Sequence, residues 1–156
     1  MRRILCIDGG GIKGTQPAAF LAGLEEDLDE PIGRYFDLIA GTSTGGILAI
    51  GLALGIPAKT LLELYENRGP TIFGQAGDKS WLGQKARDLR AALRHLVKPK
   101  HEASTLRDEL RAVLGDKLIG EAETRLLIPA WDADQRSVYI YKTSHHPRLT
   151  KDYRKP

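Results

Sequence analysis

A serine flanked by small residues is the side chain of this sequence best suited to covalent chemistry. Ser43 lies at the centre of Gly41-Thr42-Ser43-Thr44-Gly45, which has the pattern G-x-S-x-G. Between a strand and a helix, this pattern forms a sharp turn from which the serine hydroxyl projects as a nucleophile. The alternative is that the three hydroxyl groups only cap the following helix. Because a cap needs one hydroxyl and no flanking glycines, the pattern favours a nucleophile on a turn made by Gly41 and Gly45.

A second glycine-rich loop, "DGGGIKG", lies near the start of the chain. Gly9, Gly11 and Gly14 match G-x-G-x-x-G, the pattern of dinucleotide-binding loops. That interpretation requires an acidic residue at the end of the next strand, whereas the acids of residues 25–30 lie at a predicted helix end. A P-loop is excluded because Lys13 precedes the last glycine instead of following it. The pattern therefore disfavours nucleotide binding, and we expect neither a nucleotide nor another cofactor.

The same loop suits an oxyanion hole. The backbone N–H groups of Gly9, Gly10 and Gly11 are unobstructed by side chains, and Lys13 adds a positive charge. A donor of this kind typically contributes about 2.7–4 kcal/mol of transition-state stabilisation when it faces the oxygen of a tetrahedral intermediate. The sequence therefore predicts that residues 9–13 stabilise the oxyanion formed when Ser43 attacks a carbonyl group.

Apolar periodicity indicates how these two loops are positioned. Each loop follows a predicted strand and precedes a helix, and this alternation predicts an α/β fold with a parallel sheet and helices on both faces. Cys6, within the first strand, is predicted to be a small buried packing residue. Strands are predicted over 3–7, 35–40, 125–131 and 137–141, and helices from about 15 to before Pro31 and over 46–54, 58–67, 84–97 and 105–114.

The two loops in this order resemble the patatin-like phospholipase family of lipid acyl hydrolases. The segments "YFDLIAGTSTGGILAIGLAL", "LLELYENRGPTIF" and "LLIPAWDADQRSVYIY" are similar to that family as well, so the resemblance covers nearly the whole chain. It implies a three-layer α/β/α sandwich with a mainly parallel central sheet, formed by a single domain over 1–156 that is incomplete at its C-terminus. Within this domain, 69–104 is a candidate lid or cap.

The resemblance also implies the reaction. Ser43 is the expected nucleophile, Gly9 to Gly11 with Lys13 the expected oxyanion hole, and a lipid ester the expected substrate. The family commonly has arginine at the position of Lys13; lysine keeps the charge but lacks the forked, planar set of donors. The alternative is a catalytically incomplete member of the family that binds lipid or a protein partner.

The general base is the missing part of this site. The family pairs its serine with an aspartate of a later Asp-Gly-Gly or Asp-Gly-Ala motif, and no such motif follows Ser43. We expect this aspartate beyond Pro156, so that the 156 residues alone hydrolyse esters very slowly or not at all. A local triad of Ser43, Asp132 and His145 or His146 fits a known chain order. Spacing alone does not bring these groups together, and an exposed loop and a turn are the favoured interpretation.

Composition limits the partners and the compartment. The net charge of +3 is too small to indicate nucleic-acid binding without a concentrated basic patch. No cluster of His, Cys and carboxylates has metal-ligand spacing, so we expect no metal. The chain has one cysteine, and its longest apolar stretch, 47–56, is shorter than a membrane span needs. These features predict a cytosolic protein.

One segment suggests contact with a membrane surface. Residues 81–98 begin with Trp81 and form a predicted helix with leucines on one face and basic side chains on the other. Such a helix can lie on anionic lipid. The favoured alternative is a surface helix with its leucines in the core and its cations in water.

Overall fold

The structure of the protein is a computed structural model that describes residues 1–73 and 102–144. The predicted helix over 84–97, most of the candidate lid over 69–104, the whole basic segment 81–98, and His145 and His146 lie outside these described residues. The two glycine-rich loops and the elements on either side of them are all described.

The described residues form a four-stranded sheet in the order β1-β2-β3-β4. The strands are β1 (Ile4–Ile7), β2 (Leu38–Gly41), β3 (Arg125–Asp132) and β4 (Ser137–Lys142). The first three are parallel, and β4 pairs with β3 in the antiparallel direction. Ile7 pairs with Gly41, so the chain leaves β1 and β2 side by side at one end of the sheet. The register thus brings the two predicted loops together.

Four helices accompany this sheet in the described ranges: α1 (Thr15–Glu25), α2 (Thr44–Ala53), α3 (Ala58–Phe73) and α4 (Glu102–Leu114). Short 3-10 turns cover Gly11–Gly14, Ile32–Tyr35 and Ile119–Glu121. The helix predicted over 58–67 continues to Phe73. Gly69 interrupts its apolar pattern, and a Cβ there would be 2.4 Å from Cδ1 of Ile12.

The core lies on one face of the sheet. Strand residues alternate between faces, and those that enter the core or pack against it are Leu5, Ile7, Ile39, Leu126 and Ile128. Successive parallel strands added in one direction place right-handed crossover helices on the same face. The predicted α/β fold with a mainly parallel sheet is therefore confirmed. The helices contribute Ala18, Leu21, Ala22, Leu48, Ala49, Leu52, Ala53, Ala58, Leu61 and Tyr65 to the core.

The opposite face of the sheet carries apolar side chains that remain exposed. Ile4 is exposed on β1, Trp131 on β3, and Val138 and Ile140 on β4. Cys6 lies on this face too and is exposed, so the prediction that it is buried was wrong. The reason is the two-residue period of a strand, which turns Cys6 away from the face that holds Leu5 and Ile7.

Within the described residues, no helix has the length and apolar character required to cross a lipid bilayer. The longest apolar helix, α2, has 10 residues and is buried on most of its surface because it packs along the core face of the sheet.

Candidate active site

Ser43 occupies a sharp bend between β2 and α2. Its φ is 53° and its ψ is −125°, a backbone conformation that residues other than glycine rarely adopt. It stands at the N-cap position of α2, but its side chain makes no capping hydrogen bond, and the residue is exposed. The Ser43 hydroxyl therefore does not cap α2, contrary to the capping alternative.

The glycines around Ser43 are required by close backbone contacts. A Cβ at Gly41 would lie 2.2 Å from the carbonyl oxygen of Gly45, and a Cβ at Gly45 would lie 2.2 Å from that of Ile7. No side chain can occupy either position without moving the backbone. The bend at Ser43 is thus held by the packing of α2 against β1 and β2, as expected of a strand–nucleophile–helix turn.

The first glycine-rich loop lies directly against this bend. A Cβ at Gly9 would be 2.6 Å from both the Cβ of Ser43 and the carbonyl oxygen of Thr42. Because Gly9 lacks a side chain, the loop approaches Ser43 at van der Waals distance. The structure therefore brings together Ser43, the predicted nucleophile, and the loop that the sequence predicted as its oxyanion hole.

Two of the three predicted N–H donors already have partners. The Gly9 N–H donates to Oγ1 of Thr42, and the Gly10 N–H donates to Oγ1 of Thr44, each at 3.1 Å. Gly11 has a φ of 58° and opens the 3-10 turn, and no acceptor for its N–H is found among the described residues. Of the three N–H groups, that of Gly11 is the one without an acceptor in the described part of the chain.

Lys13 lies beside this loop. Its N–H donates to the carbonyl oxygen of Gly10 at 3.2 Å, and its Cβ would be 3.4 Å from a Cβ at Gly10. The side chain is exposed and extends from the same short turn that begins at Gly11. The ammonium group is therefore tethered within one turn of the predicted oxyanion donors.

Gly14, the third glycine of the apparent dinucleotide pattern, leaves space for the side chains of Tyr65 and Thr44. A Cβ at Gly14 would lie 2.7 Å from Cε1 of Tyr65 and 3.2 Å from the Cβ of Thr44. Tyr65 is 2% exposed, and its hydroxyl donates to the carbonyl oxygen of Thr44 at 2.7 Å. Burial raises the pKa of Tyr65 well above its usual value, so the phenol stays protonated and remains a donor.

Thr42, Thr44 and Tyr65 are structural partners of the site that the sequence did not identify, and it indicated Gly14 only as part of the dinucleotide pattern. In the sequence, the threonines fit the capping alternative, and Tyr65 lies within the helix predicted over 58–67. The partners of Thr42 and Thr44 lie 33 and 34 residues away along the chain. Only the register between β1 and β2 makes these contacts visible.

The local triad is not assembled within the described residues. Oδ1 of Asp132 accepts hydrogen bonds from the N–H groups of Asp134 and Gln135, each at 3.0 Å, and so closes its own turn. Since Leu127 pairs with Ala40, Asp132 lies five residues further along β3, about 16 Å beyond that pair. The two candidate histidines, 145 and 146, lie outside the part that the structure describes. In that part, no titratable side chain is hydrogen-bonded to Ser43.

Sequence comparison identifies the family. The sequence model of the family described as "Patatin-like phospholipase" matches residues 5–155. The chain belongs to the patatin-like phospholipase family. The match includes both glycine-rich loops and the whole described sheet except Ile4, so this membership applies to the elements that build the candidate site.

Relatives of this patatin-like chain come from bacteria and plants. It is 38% identical over 152 residues to a "cGAMP-activated phospholipase" of Pseudomonas aeruginosa (strain BWHPSA011 / Pa011), an alignment that covers 97% of this chain and 42% of the relative. It is 37% identical to "Patatin-like protein 2" of Oryza sativa subsp. indica, with 85% of this chain and 34% of the relative covered. It is 31% identical to "Probable inactive patatin-3-Kuras 1" of Solanum tuberosum, with 93% and 38% covered. The chain thus spans less than half the length of these relatives.

Proposed function

We propose that this patatin-like chain carries the nucleophile and the oxyanion hole of a serine acyl hydrolase that cleaves carboxylic esters of lipids. The observation that carries the proposal is the backbone of Ser43, which has a φ of 53° and contacts the glycine-rich loop at Gly9. A non-glycine residue in this conformation costs about 1–3 kcal/mol and persists where the surroundings enforce it, commonly at functional sites. Membership of a phospholipase family supports the lipid ester as the substrate.

The reaction follows from the position of the hydroxyl. Ser43 Oγ forms a bond to the ester carbonyl carbon while its proton passes to a base, and the carbonyl π electrons move onto the oxygen. Collapse of this intermediate expels the alcohol, which takes up the proton, and leaves an acyl-enzyme. Water then attacks the acyl group in the same way and releases the carboxylic acid and free Ser43.

Three features of the site favour the negative intermediate. The Gly11 N–H has no acceptor among the described residues, whereas the N–H groups of Gly9 and Gly10 donate to threonines. The N-terminus of α2, which begins at Thr44, directs its positive end towards the bend. Lys13 adds a formal positive charge on the same loop. The expected base is an aspartate outside the described residues, as the family resemblance implies.

A second candidate function is a lipid-binding or partner-binding module without turnover. Within the described residues, no titratable side chain is bonded to Ser43, which favours this function. The name of the potato relative, which includes the word "inactive", agrees with it. Residues 81–98, with their basic and apolar side chains, are the segment through which we would expect contact with anionic lipid. Sedimentation with anionic vesicles at low salt tests this function. Binding supports it, and a lack of binding excludes anionic lipid as the ligand.

Covalent labelling separates the two functions. A fluorophosphonate reacts with activated serines in a single step, so the test does not depend on turnover. We expect slow labelling of the 156-residue chain at Ser43, because the base implied by the family resemblance is not among these residues, and loss of that label in Ser43→Ala. Ser137→Ala is a matched control because Ser137 is an exposed serine at the start of β4. Folded protein that reacts no faster than Ser43→Ala would overturn the hydrolase proposal and favour the binding module.

A further inference from the structure

We propose that the hydroxyl groups of Thr42 and Thr44 are positioning groups that fix the glycine-rich loop against Ser43. Each threonine flanks the nucleophile, and each accepts a hydrogen bond from a successive glycine: Thr42 from Gly9 and Thr44 from Gly10, both at 3.1 Å. This pair of bonds is named the threonine clamp. The role proposed for the clamp concerns the same site and therefore rests on the proposed function.

The Thr44 arm of the clamp is anchored from behind. Thr44 is 2% exposed, and its carbonyl oxygen accepts a hydrogen bond from the buried hydroxyl of Tyr65. Gly14 leaves room for both residues, since a Cβ there would meet Tyr65 at 2.7 Å and Thr44 at 3.2 Å. Tyr65 therefore fixes the backbone of Thr44, and the side chain of Thr44 in turn fixes Gly10.

The Thr42 arm is more open. Thr42 is exposed, and its N–H donates to the carbonyl oxygen of Ile7 at 3.2 Å, which continues the pairing of β1 with β2. Water can replace an exposed hydroxyl as a hydrogen-bond partner more easily than a buried one. We therefore expect Thr44 to have the larger effect on the loop.

A loop of three consecutive glycines needs such anchors. Glycine has the greatest backbone freedom of any residue, so a segment of three would otherwise sample many conformations. By using the N–H groups of Gly9 and Gly10 for the clamp, the protein restricts the direction of the next N–H, that of Gly11. The two bonded glycines thus determine the geometry, and Gly11 supplies the donor that faces the substrate.

The first test compares variants that differ in the hydroxyl alone. Thr44→Val keeps the shape of the side chain and removes the acceptor, whereas Thr44→Ser keeps the hydroxyl. Because misplacement by about 1 Å in an active site can reduce the rate about a hundredfold, we expect Thr44→Val to slow fluorophosphonate labelling of Ser43 about tenfold to a hundredfold. Thr44→Ser restores the rate to within a few fold. Thr42→Val has a smaller effect in the same direction.

The second test needs no activity. Gly10 is exposed, and its N–H bonds to Thr44 alone among the described residues, so its amide should owe its protection from hydrogen exchange to that hydroxyl. By NMR, we expect Thr44→Val to accelerate exchange at Gly10 about tenfold, and Thr44→Ser to preserve its protection. The amide of Ile39, in the core of β2, reports whether global stability has changed.

The two tests have distinct failures. Equal exchange at Gly10 in wild type and Thr44→Val overturns the clamp, even where Ser43 is labelled normally. Labelling that is slowed equally in Thr44→Val and Thr44→Ser also overturns it, since the hydroxyl would then be irrelevant. Wild-type protein that protects Gly10 through Thr44 but does not label at Ser43 contradicts the proposed function and, with it, a catalytic purpose for the clamp.

Discussion

Two residues other than glycine have a positive φ within the described ranges, and their surroundings differ completely. Ser43 has a φ of 53° and Arg136 a φ of 47°. Ser43 lies between β2 and α2, where Gly41 and Gly45 are in close contact with neighbouring backbone. Arg136 is exposed in the turn between β3 and β4, where the only described support is local. A positive φ is thus imposed by tertiary packing at one position and by a short turn at the other.

The difference lies in the sequence distance of the contacts that support each residue. In the β3–β4 turn, the side chain of Asp132 bonds to residues two and three positions ahead of it, and no hydrogen bond among the described residues joins this turn to a distant segment. Around Ser43, by contrast, contacts join segments more than 30 residues apart in sequence. A strained residue that the core enforces and that also faces a loop with a free donor has the features of a functional site.

The largest effect is expected where a side chain would break the enclosed bend. Gly45→Ala would place a Cβ 2.2 Å from the carbonyl oxygen of Ile7, so we expect the free energy of unfolding to fall by about 3 kcal/mol or more. Urea denaturation measures this change. Gly23→Ala is the control, because nothing lies within 4 Å of its added Cβ on the exposed side of α1, and alanine there should stabilise the helix by about 0.5–1 kcal/mol. Equal stability of the two variants would show that the bend tolerates repacking.

A smaller effect is expected from relief of the backbone at each of the two positions. Arg136→Gly removes the penalty of a positive φ at an exposed turn, and we expect a gain of about 0.5 kcal/mol in the free energy of unfolding. Ser43→Gly relieves the same kind of penalty, but it removes the hydroxyl and therefore abolishes labelling. If Arg136→Gly also slowed labelling of Ser43, the turn would not be the independent, local feature described above.

The smallest effect is expected from an exposed ion pair away from both positions. Arg34 Nε donates to Oε2 of Glu123 at 2.6 Å, and this hydrogen bond lowers the pKa of Glu123, with Lys117 adding in the same direction. Because the pKa of Glu123 is lowered in the folded state, the ion pair stabilises the protein at pH values above the usual pKa of glutamate. This stabilisation is lost as the pH falls through the lowered pKa. Arg34→Gln should return the pKa of Glu123 towards its usual value in an NMR titration, with little change in stability at neutral pH. An unchanged pKa would mean that the pair does not form in solution.

Much of this arrangement follows from the sequence because it depends on local pattern. The glycines around Ser43 indicate the bend, and the apolar run of α2 predicts a buried helix directly after it. Spacing within one segment sufficed for both. The unobstructed N–H groups of Gly9 to Gly11 indicated an oxyanion hole, and the family resemblance then implied the same role.

The remaining features depend on contacts between distant segments. The partner of Thr44 is known only when Ile7 pairs with Gly41, and the role of Gly14 requires Tyr65 of α3 to lie beside it. The exposure of Cys6 requires the strand order, since helices gather on one face only when successive strands are added in one direction. None of these facts is contained in any single window of sequence.

Acylation by an activated ester tests the role of Ser43 most directly. The full chain would be mixed with a p-nitrophenyl ester of a fatty acid, and p-nitrophenol release would be followed while the acylated peptide is mapped by mass spectrometry. We expect release of up to about one equivalent of p-nitrophenol per chain, slow further turnover, and an acyl group on the peptide that contains Ser43. Acyl transfer to Lys13 or another residue at the same rate in wild type and Ser43→Ala would contradict a nucleophile at this bend.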